Sequence, residues 1–143
     1  MDSSSSHRSA AVYQIRLSSE SKPVVIARFL AEDSEGLLSI GMTNDMERRR
    51  RAFVRSLRKG RGHSEGNLLW VLDRFSQHRE WRCGAEYEYR YAPVENESVA
   101  HTQEELLLKR YFLRFGEVPP LNSAIPNRFG EWPSEGIVGA PSV

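Results

Sequence analysis

Between Ala11 and Leu17 the chain reads Ala-Val-Tyr-Gln-Ile-Arg-Leu, which sets Tyr13, Ile15 and Leu17 on one face of an extended segment and Val12 on the other. That period of two predicts a strand. Ser18 to Pro23 is polar and turn-like. Val24, Val25, Ile26, Ala27, Phe29 and Leu30 then form a β-branched, apolar run that predicts a second strand. Glu32 to Gly36 is short, acidic and glycine-ended, as a hairpin connection is, and it leads into a third strand through Leu37, Leu38, Ser39, Ile40 and Gly41.

The period then changes to that of helices. Thr43 or Asn44 suits an N-cap, and Asp45 and Glu47 fall where the helix dipole favours negative charge. A basic helix is expected to about Arg58, stopped by Lys59-Gly-Arg-Gly. Ser64 and Glu65 open a second helix, whose Leu68, Leu69, Val71, Leu72 and Phe75 are expected to face the core. From Trp81 to Tyr91 every odd position is Trp, Cys, Ala or Tyr and every even one Arg, Gly or Glu, which predicts a half-buried strand. A leucine-rich helix is expected from about Val99 to Phe115, opened by Thr102, Gln103, Glu104 and Glu105. The order implies a small α/β (α+β) domain with a mixed or antiparallel sheet of about three to four strands flanked by helices. We place the domain at 11–125, with a flexible segment at 1–10 and an irregular tail at 126–143.

A length of 143 residues allows one core and hardly two. No apolar stretch approaches the eighteen or so residues of a membrane span, and the Met-Asp-Ser-Ser-Ser-Ser start lacks a secretory apolar region. A lone cysteine, Cys83, can form neither an internal disulfide nor a zinc cluster, which points to the reducing cytoplasm.

Net charge is only +1, but its distribution is uneven. Arg48, Arg49, Arg50, Arg51, Arg55, Arg58, Lys59 and Arg61 follow one another with no acidic residue among them, a local positive field suited to nucleic-acid phosphate. Helical spacing puts Arg48, Arg51 and Arg55 on one face, where they are expected to contact the DNA backbone, and turns Arg49 toward the side of Phe53. The chain has no P-loop, no dinucleotide glycine motif and no zinc spacing.

Ala11-Val12-Tyr13 resembles the first motif of the GIY-YIG endonucleases, and Ser39-Ile40-Gly41, running on through Met42 to Asp45, resembles the second. Arg49 follows Ser39 by ten residues, the family's spacing for its essential arginine. Glu104-Glu105-Leu-Leu-Leu108-Lys-Arg-Tyr111, and later Pro119-Pro120-Leu-Asn122, are similar to its metal-binding helix and closing asparagine. The resemblance implies a DNA endonuclease with Tyr13 as general base, Arg49 on the scissile phosphate, and Glu104 or Glu105 holding one Mg2+ or Mn2+. Glu104 is the better match, because it shares a face with Leu107 and Tyr111 while Glu105 falls nearer solvent. Asn122 is expected to orient a substrate phosphate or the strand end. His63, after the Lys-Gly loop, resembles a histidine of some homing enzymes of the family and stands as a further catalytic group.

Two positions depart from the family pattern. Ser39 replaces the second tyrosine and Phe53 replaces a histidine or tyrosine one turn after the arginine. The gap of twenty-five residues between Tyr13 and Ser39 is more than twice the usual one, and an added strand or longer hairpin in the sheet is expected to absorb it. A GIY-YIG-fold module that binds nucleic acid without cutting it is therefore the alternative function. DNA is the expected partner, as monomer or homodimer, with no membrane.

Overall fold

The computed structural model describes residues 9–78 and 80–133. The expectations for residues 1–8 and 134–143 lie outside them. Its elements run β1 Ala11–Ser19, β2 Lys22–Pro23, β3 Ile26–Ala27, β4 Glu32–Asp33, β5 Leu37–Thr43, α1 Met46–Lys59, α2 Ser64–Phe75, β6 Glu86–Pro93 and α3 Glu97–Phe115. The small α+β architecture expected from the order of periods is the one found, and its sheet is antiparallel.

β1 is the central strand, which explains why its residues on both faces are apolar. β6 pairs with it along one edge from Ala11 to Ser18, while β5 and, beyond it, the short β2 hairpin occupy the other. The sheet thereby divides the core in two. Tyr13, Ile15 and Leu17 pack with Leu38, Phe53 and Leu69 on the α1 and α2 side, and Val12 packs with Ile40, Leu108, Tyr111 and Phe115 on the α3 side. α1 and α2 meet closely at Gly66, where a methyl group would collide with the buried Ser56 hydroxyl and crowd Phe53 O at 3.1 Å.

Several local expectations need correction. The run Val24–Leu30 does not form a second long strand; it holds only the two-residue β3, and Val25, Phe29 and Leu30 are exposed. The long gap is absorbed by a loop fastened to the end of α3. Leu30 N donates to Phe115 O at 2.9 Å, Phe29 N to Glu117 Oε2 at 2.7 Å, and Arg28 to Val118 O at 2.8 Å. Buried Asp33 closes it by accepting from Leu37 N, Glu35 N and the Tyr111 hydroxyl. The N-cap of α1 is Asp45, which accepts from Arg48 N. The alternating run starts its strand only at Glu86, because Cys83 and Gly84 take left-handed backbone, φ 51° and 81°, that strand pairing does not accommodate. On α2 only Leu69 of the apolar stripe is buried, while Leu68, Val71, Leu72 and Phe75 are exposed. α3 begins at Glu97 with Asn96 as its cap, so Glu104 and Glu105 lie well inside the helix and not in its first turn. From Asn122 to Pro133 the chain has neither helix nor strand.

Candidate active site

Tyr13 sits opposite Gly41 in the β1–β5 register, and this pairing determines where its hydroxyl goes. A side chain at 41 would overlap the phenol ring and its oxygen, so glycine lets the ring lie across the neighbouring strand and reach out at its end. Tyr89 of β6 stacks against the ring at 5.2 Å between centroids. Gly41→Ala is expected to displace the ring at a stability cost of about 1–3 kcal/mol, with any activity that needs the hydroxyl falling much further. A thermal melt beside an activity assay measures both effects.

The hydroxyl is held between a carboxylate and a guanidinium. It donates to Glu65 at 3.0 Å, and it accepts from Arg49 Nη2 at 3.2 Å and Nε at 3.4 Å. Arg49 Nη2 also lies 3.6 Å from Glu65 Oε1, so the three groups form a closed triangle. Ser39, fully buried, donates to the other Glu65 oxygen. His63 caps α2 by accepting Glu65 N–H at its Nδ1, and its Nε2 approaches Glu65 Oε1 to 3.0 Å at an angle outside hydrogen-bond range. Nδ1 as acceptor puts the proton of a neutral ring on Nε2, facing the carboxylate.

These contacts set the protonation states. Burial and then the negative Glu65 push the Tyr13 phenol well above its ordinary value, and Arg49 beside it only partly offsets them. Burial would also raise the Glu65 carboxyl, but the close His63 ring and the hydrogen bonds from Ser39 and Tyr13 prevail and hold it below the usual range. Burial likewise opposes the charge on Arg49, and Tyr13 and Glu65 outweigh it. At neutral pH the cluster is thus a neutral phenol between a carboxylate and a guanidinium. Arg49 does act to lower the phenol's pKa, but burial and then the equally close Glu65 anion outweigh it.

Tyr13, Arg49, Glu65, Glu104 and Asn122 line one cleft of about 470 Å3, walled further by Met42 and by the segment from Leu121 to Arg128. The elements supplying these residues are far apart in sequence, and β5 and α3 converge at its floor. The Glu104 carboxylate makes no hydrogen bond with any described residue. Burial pushes it above its ordinary value; Arg128, His101 and Arg49 work against that, while Glu65 adds to it. An unpartnered oxygen donor beside a second carboxylate fits a hard divalent cation. Among the described residues there is no group of three potential metal-ligating side chains, so such a cation would take most of its oxygens from water and phosphate.

The other expected residues fall elsewhere. Glu105 is not on the solvent side but is buried, paired with Lys109 at 2.8 Å and accepting from Arg128 N and Phe129 N. Its carboxylate is fully engaged in structure, which leaves the cleft to Glu104. Asn122 uses both ends of its amide on the backbone of Ile40, accepting from N at 3.0 Å and donating to O at 2.9 Å. This pairing fits the strand-end role of the two expected for it, and the second Nδ2 hydrogen has no partner among the described residues. His63 is buried behind Glu65 and lines a neighbouring cleft with Arg48, Arg49 and Arg55. Arg48, Arg51 and Arg55 are exposed on α1. Glu65 is the site residue that the sequence reading passed over.

No protein-family model matches the chain, and no curated protein or solved structure matches it. No helix among the described residues is long and apolar enough to cross a membrane.

Proposed function

We propose that the chain is a divalent-metal-dependent DNA endonuclease of the GIY-YIG type, acting in the cytoplasm. The observation that supports this reading best is the convergence of Tyr13, Arg49 and Glu104, three residues from three elements, on a single cleft, with a neighbouring cleft that Arg49 shares with the exposed Arg48 and Arg55 of α1. Phosphodiester hydrolysis needs proton removal from water, neutralisation of charge on phosphorus-bound oxygens and help for the leaving oxygen. Glu104 would hold a magnesium or manganese ion, which would supply Lewis-acid neutralisation of that charge.

The chain's own residues provide the rest. Arg49 offers a permanently charged planar fork to a non-bridging phosphate oxygen. A phenol with a raised pKa cannot begin as phenolate, so Tyr13 acts as a relay. Water oxygen bonds to phosphorus as its proton passes to the Tyr13 oxygen, and the Tyr13 proton passes to Glu65, its hydrogen-bond acceptor. The P–O bond to the leaving sugar oxygen breaks, and that oxygen is protonated by solvent. Ser39 is a positioning residue that holds the Glu65 carboxylate toward the phenol, and His63 positions Glu65 through its backbone N–H.

A second reading has its own support. Ser39 and Phe53 lack the polar groups of the family pattern, and Phe53 is buried with its ring edge-on to His63. A module that binds nucleic acid without cutting it would have the same basic helix. Scission of a labelled DNA duplex in magnesium, abolished by chelator, separates the two readings: an intact duplex that the protein nonetheless retains favours the binding module.

Both readings make one prediction about α1. Replacing Arg48, Arg51 and Arg55 together by alanine should weaken binding to all DNA sequences and flatten the slope of log affinity against log salt by about 0.9 per lost phosphate contact. An unchanged slope in a fluorescence-anisotropy titration would move the DNA surface away from this helix.

A further inference from the structure

The segment from Pro126 to Pro133 has no regular structure, yet it is fastened to α3 by a buried ion pair. Glu105 and Lys109 are 3% and 1% exposed. Beyond their mutual bond, both are used on this segment: Glu105 accepts from Arg128 N at 2.7 Å and Phe129 N at 3.2 Å, and Lys109 donates to Glu131 O at 2.6 Å. Burying two charges is expensive, and such a pair is a poor source of stability compared with apolar packing, although it can fix one geometry. Here the geometry it fixes is that of residue 128.

The side chain of Arg128 is exposed and lines the same cleft as Tyr13, Arg49 and Glu104. Its guanidinium meets the described residues at one point, His101 Nδ1 at 2.6 Å on α3. That contact uses one nitrogen of the fork. Arg49 lines the cleft from α1, Arg128 from the C-terminal segment and Glu104 from α3, and both guanidinium charges act on the Glu104 carboxylate.

We propose that Arg128 is a second phosphate-binding arginine, which grips the substrate backbone beside the scissile group from the wall opposite Arg49, and that the Glu105–Lys109 pair exists to position it. This inference rests on the nuclease reading and adds a residue that has no place in the resemblance from which that reading began. Its position makes the cleft a two-sided clamp on a single strand. α1 supplies the long-range field and Arg128 the local grip.

The test uses the full chain and a short labelled duplex. Affinity is measured across a salt series without divalent metal, and kcat/KM is measured with magnesium, for wild type, Arg128→Ala, Arg128→Lys and His101→Ala. Arg128→Ala should lose about tenfold in affinity and about 0.9 in the salt slope. Arg128→Lys should recover the slope but only part of kcat/KM, because lysine keeps the charge without the planar fork. His101→Ala removes that single contact but keeps the guanidinium and its charge, and should bind like wild type. Arg128→Ala with wild-type affinity and slope would overturn the inference. So would His101→Ala with the same loss as Arg128→Ala, since both would then act by holding the segment down. A wild-type protein that neither binds nor cuts DNA would remove the nuclease reading itself, and the inference with it.

Discussion

Glu104→Ala is expected to abolish magnesium-dependent cleavage while changing DNA affinity at moderate salt by less than about twofold, because a metal-holding carboxylate contributes to the reaction and little to backbone contact. The geometry sharpens this expectation. Glu104 lacks a hydrogen-bond partner among the described residues and sits in the cleft, whereas Glu105 accepts three hydrogen bonds, one from Lys109 and two that fasten the C-terminal segment. Glu105→Ala should therefore fail differently. It strands the buried Lys109 and should lower the melting temperature strongly, since breaking a buried pair costs about 3–5 kcal/mol. Normal cleavage by a folded Glu104→Ala variant would exclude this residue as the metal ligand.

The second large effect belongs to the phenol and its acceptor. Tyr13→Phe should lower the cleavage rate by at least the ~10² that a positioned proton-transfer group contributes, with the ring stack on Tyr89 preserved. Glu65→Gln should cost a comparable factor. Because the two act on one proton path, the double variant should be scarcely worse than either single one, and a multiplicative loss would argue for separate roles. Glu65 also links the site to stability. Its folded pKa is depressed, so its contribution is present above the unfolded carboxylate value of about 4.3 and is lost as pH falls through the folded value. Urea midpoints of wild type and Glu65→Gln should converge as pH drops through that window, and a gap unchanged down to the acid limit would contradict the assignment.

Much of the frame was legible because it is written in local periods. β1, β5, α1 and α3 stand where the alternation and helical spacing put them, within the usual shifts at their ends. Arg49 was singled out by the ten-residue step from Ser39 that the family resemblance supplies, and the strand end, the Asp45 cap expected instead at Thr43 or Asn44, and one helical turn carry that step in the fold. Glu65 was not. In sequence it is an acidic residue in a first helical turn, and the dipole explains it fully. Its contacts to Tyr13 and Ser39 span 52 and 26 residues and exist only after α2 has packed on the sheet. The nearby Gly66, which only close helix contact requires, was the one local hint.

Glu105 misled for a related reason. Leu108, Tyr111 and Phe115 mark the face of α3 that meets the sheet, which leaves Glu105 and Lys109 on a flank that periodicity assigns to solvent. An irregular segment with no period of its own covers that flank, so nothing in the helix foretells its burial. The same holds for the loop after β2. Its apolar residues suit a strand, and hydrogen bonds to the end of α3 decide otherwise. On α2 the opposite happened, as a stripe with core spacing faces outward apart from Leu69.

If the cleft of Tyr13, Arg49, Glu65 and Glu104 hydrolyses DNA with a divalent metal, a closed circular substrate should be opened by it. Incubation of supercoiled plasmid with the full chain, in magnesium or manganese and then with chelator, tests it most directly, with Glu104→Ala run alongside. Conversion to the nicked or linear form should require metal and fail in the variant. Plasmid that stays supercoiled with either metal, or that is cut equally by wild type and Glu104→Ala, would contradict it.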